Sequence, residues 1–262
     1  MARDYSTVTE TPDDRITREA ASMFYSRYRY TRTLASGRRT LEVACGSGQG
    51  LGYLRAVAPF VVGADITASL LGKAASVYGG SIPLVQLDAE RLPFVDSSFG
   101  VIALHEAIYY LPRPERFVDE AYRVLAPGGV LLVVSVNTEW VDFNPSPFAT
   151  HYYSAEALTG LLRTRFQDVE TLFGFPSNAG THGRSSLVSL LKRAAVRLRL
   201  VPRTMRGKRL LKRLFLGPLQ RVPRLLGEDF GAAYEAPRSL ATAEVAGQFK
   251  VIYALGRRDG SR

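Results

Sequence analysis

Short apolar runs alternate along this chain with stretches of helical periodicity, and this alternation constrains the fold more than any other feature. Most of the runs are apolar at nearly every position and rich in β-branched residues. Such runs are typical of strands that are buried on both faces of a parallel sheet. Alternating strands and helices require right-handed crossovers and therefore predict a doubly wound α/β sheet. The predicted strands are 40–44, 60–64, 82–87, 99–104, 130–136, 168–173 and 248–255.

Helices are predicted between these strands from apolar spacing and from residues that suit helix starts. Pro114 stands at a plausible first-turn position, and Ser154 is a good N-cap with Glu156 in the turn that follows. The predicted helices are 50–57, 68–78, 114–125 and 154–165.

A glycine-rich turn follows the first predicted strand and runs directly into a helix. Its sequence is LEVACGSGQG, with glycine at positions 46, 48 and 50. Alternating glycines let the backbone turn tightly and approach a ligand without Cβ atoms in the way. The dinucleotide fingerprint requires another glycine where this chain has Leu51, and the Lys-Ser/Thr pair of a phosphate loop is missing. The turn therefore favours a ligand other than a dinucleotide or a nucleoside triphosphate.

Acidic residues mark the ends of three successive predicted strands. Glu42 precedes the glycine turn, Asp65 ends the second strand and Asp88 ends the third. A carboxylate at the position of Asp65 accepts hydrogen bonds from ribose hydroxyls in other nucleoside-binding doubly wound folds. Asp88 is placed either to accept from an adenine amino group or to cap the turn before Arg91. Glu42 would repel a pyrophosphate but suits the ammonium group of a methionine moiety.

These features belong to a longer series of motifs in a fixed order. The series reads LEVACGSGQG, GADI, QLDAERLPF, DSSFGVIALHEAIYYL and RVLAPGGVLLVVS. It resembles the ordered motifs of class I S-adenosylmethionine-dependent methyltransferases, and most closely the type 11 branch that includes ubiquinone and menaquinone C-methyltransferases. The resemblance covers about residues 38–136. It implies a Rossmann-like methyltransferase fold, namely a mostly parallel seven-stranded sheet with a helical insertion between the last two strands.

The resemblance also implies S-adenosyl-L-methionine as the cofactor. It implies ribose contact by Asp65, contact with the adenine region after the second and third strands, and contact with the methionine end near His105. Tyr25 lies in the stretch FYSRY, which is similar to a helix that covers the cofactor in this branch. The predicted cofactor-binding residues are Tyr25, Glu42, Gly46, Ser47, Gly48, Asp65, Ile66, Asp88, Ala89 and His105.

Two histidines are candidates for a catalytic base. His105 follows the fourth strand, at the edge of the sheet where ligands bind, although a helix-capping or solvated histidine is the alternative. His151 precedes a helix, where it either closes one side of an acceptor pocket or belongs to a surface loop. Methyl transfer depends mainly on orientation in a water-poor site, and an alcohol acceptor also benefits from a base. No metal site is predicted, because the single cysteine, Cys45, and three dispersed histidines lack ligand spacing.

The positive charge of the chain comes from one segment. The formal net charge is +10, and residues 171–227 hold 13 Lys and Arg and no acidic residue. Two amphipathic helices with basic faces are predicted there. Three interpretations stay open: a solvated basic face, attraction to anionic lipid or a phosphorylated acceptor, and nucleic acid, which the scarcity of aromatic residues disfavours.

Four regions are predicted along the chain. They are an N-terminal helical cover at 1–36, a cofactor-binding α/β core at 37–175, a basic helical insertion at 176–247 and a final strand with a tail at 248–262. If the last strand runs antiparallel, as the resemblance implies, the insertion emerges above the ligand edge and forms a lid over the acceptor. The single cysteine and the lack of an apolar run of 18 residues predict a cytoplasmic protein, with peripheral contact at an anionic inner membrane surface as an option.

The expected function is methyl transfer to an O, N or C atom of a small-molecule, sugar or lipid-linked acceptor in specialised or envelope biosynthesis. A nucleic-acid adenine methyltransferase would carry an Asn/Asp-Pro-Pro-aromatic run after the fourth strand, where this chain has His105 to Ile108. A nucleic-acid methyltransferase that uses the basic insertion and a non-catalytic nucleoside-binding protein are the alternatives. The oligomeric state is not predicted.

Overall fold

A computed structural model describes residues 4–12, 14–146, 148–177, 219–241 and 244–260. Its strands are β1 (Arg15–Thr17), β2 (Thr40–Val43), β3 (Val61–Asp65), β4 (Leu84–Gln86), β5 (Phe99–His105), β6 (Leu125–Val136), β7 (Asp168–Pro176), β8 (Leu219–Arg221) and β9 (Phe249–Arg257). Its α-helices are α1 (Arg18–Ala35), α2 (Leu51–Arg55), α3 (Ala68–Tyr78), α4 (Pro114–Val124) and α5 (Ala155–Arg163). Short 3-10 helices cover Ile108–Tyr110, Glu228–Phe230 and Ala246–Gln248.

Within the described residues, seven strands form one sheet in the order β4-β3-β2-β5-β6-β9-β7. Strand β9 is antiparallel to both of its neighbours, β6 and β7, while the other neighbouring pairs are parallel. The prediction of a doubly wound, mostly parallel seven-stranded sheet is confirmed. Strand β6 begins earlier than predicted, because Leu125 already pairs with Phe99 before a register shift.

Both faces of the sheet are covered, which explains why its strands are apolar throughout. On β6, Leu131 and Val133 belong to the core that α4 and α5 close, whereas Val130, Leu132 and Val134 pack toward α1. Neighbouring residues of a strand point to opposite faces, so an apolar residue is needed at every position. This arrangement leaves the carboxyl edge of the parallel strands as the place where polar residues accumulate.

Helix α1 is the helix of the predicted N-terminal cover, and it begins where Thr17 accepts a hydrogen bond from the backbone of Ala20 at 3.1 Å. Residues 4–12 form turns rather than helix. Strand β1 pairs with β8 in a small antiparallel sheet that the sequence does not predict. The residues of β1 and β8, RIT and LQR, form no apolar run, so this pairing is not visible in the sequence.

The predicted basic insertion is described only in part. Both predicted amphipathic helices fall within residues 178–218, which lie outside the described residues. The lid and its boundaries therefore stay predictions. Among the helices that the structure describes, none combines the length and the apolar composition needed to cross a membrane.

Asn137 links the end of β6 to the start of β9. Its side chain is fully buried. Its Nδ2 donates to the carbonyl oxygens of Ala246 at 2.8 Å and Phe249 at 2.9 Å, and its Oδ1 accepts from the backbone N–H of Glu139 at 3.0 Å. One amide thus satisfies three backbone groups near the antiparallel edge of the sheet.

We predict that Asn137→Ala lowers the free energy of unfolding by about 2–4 kcal/mol, because buried backbone groups lose their partners. Urea denaturation followed by circular dichroism measures the change. Asn144→Ala, at an exposed position, is the matched control and should change the free energy of unfolding by less than about 0.5 kcal/mol. Equal unfolding midpoints for the two variants would contradict the structural role of Asn137.

Candidate functional site

A cavity of about 690 Å³ lies at the carboxyl edge of the parallel strands. Its lining comes from the ends of β2, β3 and β5, from one face of α1 and from residues 5–10. The structure brings most of the predicted cofactor residues together here. Those that line the cavity are Glu42, Gly46, Asp65, Ile66, Asp88, Ala89 and His105, whereas Tyr25, Ser47 and Gly48 do not.

The glycine turn has two separate reasons for its composition. Gly46 and Gly48 have φ angles of +58° and +75°, in the left-handed region that side chains other than glycine avoid. Gly50 is required by close packing instead, since a Cβ atom there would lie 1.9 Å from the ring of Tyr28. Ser47 is buried in the same turn, and its hydroxyl has no hydrogen-bond partner within the described residues.

Asp65 connects the glycine turn to the end of β3. Its carboxylate accepts from the backbone N–H of Gly46 at 2.9 Å and from that of Thr67 at 2.8 Å. Burial raises the pKa of Asp65, and these two hydrogen bonds oppose the rise. Each carboxylate oxygen has a second lone pair, so Asp65 can still accept hydrogen bonds from a ligand.

Asp88 caps its own turn and also lines the cavity. Its Oδ1 accepts from the backbone N–H of Glu90 at 2.9 Å, and its carbonyl oxygen accepts from that of Arg91 at 2.9 Å. Both interpretations of Asp88 are therefore compatible with the structure. Glu90 lines the cavity too, but its carboxylate is committed to the backbone N–H and the Nε of Arg113, each at 2.8 Å.

Glu42 lies at the centre of a buried polar cluster. Its Oε1 accepts from the hydroxyl of Tyr28 at 2.6 Å. Nδ1 of His105 lies 3.3 Å from the same oxygen, without hydrogen-bond alignment. The second carboxylate oxygen, Oε2, is buried and has no partner within the described residues. A buried carboxylate oxygen without a donor indicates a place for a ligand.

His105 faces protein atoms through both ring nitrogens. Its Nε2 lies 2.9 Å from the hydroxyl of Thr31, and its Nδ1 faces Glu42. Burial lowers the pKa of His105, although Glu42 opposes this shift. The geometry favours a residue that positions Glu42, and the role of His105 as a base stays a prediction.

Helix α1 presents a different face to the cavity than the sequence indicates. The hydroxyl of Tyr25 donates to Glu228 at 2.5 Å, and its ring packs near Tyr53, away from the cavity lining. The lining residues of α1 are Ala20, Met23, Phe24, Arg27 and Tyr28, which recur at the helical spacing of three to four. The predicted contact of Tyr25 with the cofactor is therefore not supported by its position.

His151 is exposed, and its ring packs against Tyr153 at a centroid distance of 4.8 Å. It does not line the cavity. The neighbouring part of the cavity lining comes from Tyr109 and Tyr110, in the 3-10 helix after β5.

Arg27 is a cavity residue that the sequence predictions missed. Its Nε is buried without a hydrogen-bond partner, and no ion pair within 4 Å involves it among the described residues. The other basic lining residues, Arg113 and Lys250, are paired with Glu90 and Glu19. The helical spacing of Phe24, Arg27 and Tyr28 could have identified Arg27 as a residue of the same helix face. The similarity of the whole stretch FYSRY to the family does not single it out.

Glu106 is the second residue that was missed. It follows β5 directly, lines the cavity and has a φ angle of +52°. Its carboxylate accepts from the hydroxyl of Tyr109 at 3.1 Å. Burial raises the pKa of Glu106, while Arg27 and Tyr109 oppose the rise.

Residues 41–133 match the family model described as methyltransferase domain. The match spans 93 of the 262 residues, and the matched part of the chain is named the methyltransferase domain after it. The domain begins in β2 and finishes within β6. It contains the glycine turn and the acidic residues at the ends of the strands, Glu42, Asp65 and Asp88. The resemblance of the sequence motifs to methyltransferases is thereby confirmed.

Curated relatives carry similar sequences over part of their length. A probable S-adenosylmethionine-dependent methyltransferase of Mycolicibacterium smegmatis is 33% identical over 174 residues, which cover 61% of this chain and 65% of the relative. A phthiotriol/phenolphthiotriol dimycocerosates methyltransferase of Mycobacterium ulcerans is 36% identical over 48% of this chain and 51% of its own. A demethylmenaquinone methyltransferase of Clavibacter sepedonicus is 32% identical over 41% and 46%. The chain spans between about half and two thirds of the length of curated relatives that it matches.

Solved structures share the fold of the methyltransferase domain. A methyltransferase of Thermotoga maritima, titled a possible histamine N-methyltransferase, aligns with a TM-score of 0.56 at 17% identity and covers 91% of this chain and 90% of its own. A 4+2 cyclase aligns with a TM-score of 0.57 at 18% identity, over 93% and 82%. Because a cyclase shares the architecture, the fold alone does not decide the reaction.

We predict that Gly50→Ala lowers the free energy of unfolding by about 1–3 kcal/mol, because the added methyl group must displace the Tyr28 ring. Gly72→Ala is the matched control, since a Cβ atom there meets nothing within 4 Å. Gly72 lies within α3, so this control should instead stabilise the protein by roughly 0.5–1 kcal/mol. Thermal unfolding compares the variants, and a Gly50→Ala protein as stable as the wild type would show that Tyr28 is not tightly placed.

Proposed function

We propose that this protein is an S-adenosylmethionine-dependent methyltransferase that acts on a small-molecule or lipid-linked acceptor. The observation that carries this proposal is the buried, unpartnered Oε2 of Glu42 in a cavity that Asp65 and Asp88 also line. A buried anionic oxygen calls for a cationic or hydrogen-donating ligand group. The ammonium group of methionine would meet that need. The ribose hydroxyls and the adenine amino group of an adenosine would donate to Asp65 and Asp88.

The residues present fit this cofactor. Asp65 would accept from the ribose hydroxyls, and Asp88 would accept from the adenine amino group beside the apolar side chains of Ile66 and Ala89. Glu42 would accept from the ammonium group, held in place by Tyr28 and His105. When bound, the cofactor supplies an electrophilic methyl group on a sulfonium.

Arg27 completes the set, because the amino-acid end of the cofactor is a zwitterion. Arg27 immediately precedes Tyr28 on α1, and the hydroxyl of Tyr28 donates a hydrogen bond to Glu42. A cation from α1 and an anion from β2 in the lining of one cavity match the carboxylate and the ammonium group of methionine. Without that ligand, the buried Nε of Arg27 has no partner, which is costly for a charged group.

The rest of the lining keeps water away from the reacting groups and leaves room for the acceptor. Helix α1 and residues 5–10 cover the cavity from one side. Its apolar part contains Met23, Phe24, Tyr109, Tyr110 and Trp140. Such a surface suits an apolar or aromatic acceptor, since orientation in a dry site supplies much of the rate enhancement. Relatives named for phthiotriol lipids and for demethylmenaquinone support a lipid-linked acceptor.

Two ligands that differ only in the amino-acid portion test this assignment. S-adenosylhomocysteine contains the amino acid and 5′-methylthioadenosine lacks it. We predict that Asp65→Asn weakens binding of both ligands by roughly 1–3 kcal/mol, because a charged acceptor for the ribose is lost. Arg27→Met should weaken S-adenosylhomocysteine by a similar amount, roughly 1–3 kcal/mol, and leave 5′-methylthioadenosine unchanged. Isothermal titration calorimetry measures both affinities.

Arg165→Met is the control, since Arg165 lies on the surface and pairs with Asp119. It should bind both ligands like the wild type. A folded wild type that binds neither nucleoside would end the proposal. Equal loss of both ligands in Arg27→Met would remove Arg27 from the amino-acid end. Formation of S-adenosylhomocysteine in the presence of lipid extracts distinguishes an enzyme from a nucleoside-binding protein.

We also propose, from the sequence alone, that the basic segment 171–227 contacts anionic membranes where a lipid-linked acceptor resides. Vesicle sedimentation tests this. The protein should sediment with vesicles of anionic phospholipid at low salt and should not bind neutral vesicles. It should dissociate from the anionic vesicles as salt increases, because salt screens surface electrostatic attraction. Absence from the anionic pellet at low salt would refute membrane contact without affecting the proposed chemistry.

A further inference from the structure

Glu106 is a further carboxylate that lines the cavity, directly after the end of β5. Glu42 accepts a hydrogen bond from Tyr28, Asp65 accepts from two backbone N–H groups, and Glu90 is paired with Arg113. For Glu106 the structure gives one side-chain hydrogen bond, from the hydroxyl of Tyr109 to Oε2 at 3.1 Å. A backbone hydrogen bond from Val136 also acts to lower the pKa of Glu106. The side chain lines the cavity, where a second ligand can reach it.

The backbone of Glu106 is held in an unfavourable conformation. Its φ angle of +52° places a long side chain in the left-handed region, which costs about 1–3 kcal/mol for a residue other than glycine. The backbone N–H of Glu106 donates to the carbonyl oxygen of Val134 at 2.8 Å and keeps it there. Strain of this kind is concentrated at functional sites, because it fixes the direction of a side chain that the reaction needs.

A cluster of tyrosine rings lies beside this carboxylate. The ring of Tyr109 lies 4.7 Å from that of Tyr110, edge to face, and 4.8 Å from that of Tyr152, measured between centroids. Tyr109 and Tyr110 line the cavity, and a further planar ring can join such a cluster by offset or edge contacts. The hydroxyl that bonds Glu106 therefore belongs to an aromatic part of the lining.

We infer that Glu106 is the group that accepts the proton of the methyl acceptor, and that this acceptor carries a phenol-type hydroxyl. The inference rests on the proposed function, and it names the acceptor class for that same cavity. Tyr109 is a positioning residue in this scheme. His105 is left to orient Glu42, since both of its nitrogens face protein atoms.

The strength of the base selects the kind of hydroxyl. Burial raises the pKa of Glu106, but a carboxylate remains far weaker as a base than the alkoxide of an ordinary alcohol. Proton transfer is efficient when the pKa values of donor and acceptor are not far apart, and a phenol ionises near pH 10, about that of a tyrosine side chain. If Arg27 is neutralised by the methionine carboxylate, its opposing effect on Glu106 weakens and the carboxylate becomes a better proton acceptor.

The proton and the electrons balance in a single displacement. The O–H bond of the acceptor breaks, and its proton passes to a carboxylate oxygen of Glu106. The oxygen forms the new bond to the methyl carbon, and the electron pair of the C–S bond returns to sulfur. The positive charge of the sulfonium and the negative charge of Glu106 disappear together, so that no oxidant, reductant or further reactant is needed.

Two matched probes separate a base from a structural residue. One is 2-naphthol, whose hydroxyl needs a base, and the other is 2-naphthalenethiol, which is already ionised at neutral pH. We predict that Glu106→Gln lowers methylation of 2-naphthol by about 100-fold or more with labelled S-adenosylmethionine, while methylation of the thiol changes little. S-adenosylhomocysteine should still bind to this variant, because Glu106 is not among the residues proposed to hold the cofactor. Glu156→Gln, an exposed position on α5, is the matched control.

A spectroscopic measurement gives a second readout without turnover. With S-adenosylhomocysteine bound, the absorption of bound 4-nitrophenol is titrated against pH. The phenolate should appear at a higher pH in the wild type than in Glu106→Gln, because the nearby carboxylate disfavours a second negative charge. The same titration in both proteins would place Glu106 away from the acceptor hydroxyl and overturn the inference.

Equal losses for 2-naphthol and the thiol would assign Glu106 a structural role and overturn the inference. Unchanged methylation of 2-naphthol in Glu106→Gln would do the same. Wild-type protein that binds S-adenosylmethionine but methylates only the thiol would overturn the acceptor class. If calorimetry finds no binding of S-adenosylmethionine to the wild type, the proposed function itself fails, and the inference fails with it.

Discussion

A carboxylate that is buried at the end of a central strand requires donors close by, because removing a charge from water is costly. Glu42 obtains one from Tyr28, so helix α1 has to lie against the glycine turn. That contact in turn requires Gly50, since any Cβ atom would enter the Tyr28 ring. The position of the N-terminal helix, the composition of the turn and the orientation of His105 thus all depend on one buried acid. The cavity lies between helix α1 and the carboxyl edge of the sheet, in the space that these contacts leave open.

The same helix is also held from its outer side. Glu228, after the basic segment, accepts from Tyr25 and Tyr53 and pairs with Arg29 at 2.6 Å and Arg32 at 2.5 Å. About half of the Glu228 side chain is exposed, so each ion pair adds little stability by itself. The cluster is nevertheless specific, because one carboxylate joins two helices to a distant part of the chain. Helix α1 is therefore packed on two sides, toward the sheet and toward residues 219–235.

This packing explains which parts of the site the sequence predicts. Continuous apolar strands identify the sheet, and acids at strand ends identify Glu42, Asp65 and Asp88, because strand order alone brings such ends to one edge. The orientation of α1 is not visible in the same way. A helix that is covered on two sides has no single polar face from which its orientation could be predicted. The resemblance of the motif therefore pointed to Tyr25 as the cofactor contact, while Arg27 and Tyr28 line the cavity in the structure. The sequence does not identify Glu106 for another reason. A positive φ angle is a property of the folded backbone and cannot be recognised from the residue type.

The antiparallel strand β9 has a consequence for how this fold diversifies. Pro176 of β7 and Phe249 of β9 are paired partners, so the segment between them starts and finishes roughly 5 Å apart, at the spacing of neighbouring strands. Closing a loop between fixed ends becomes only slightly more costly with length, by about 0.6 kcal/mol for each doubling. Segments of very different size and composition can therefore be exchanged at this position without altering the register of the sheet. The methyltransferase domain and its neighbouring segment can evolve at different rates, with the hairpin of β7 and β9 as the junction.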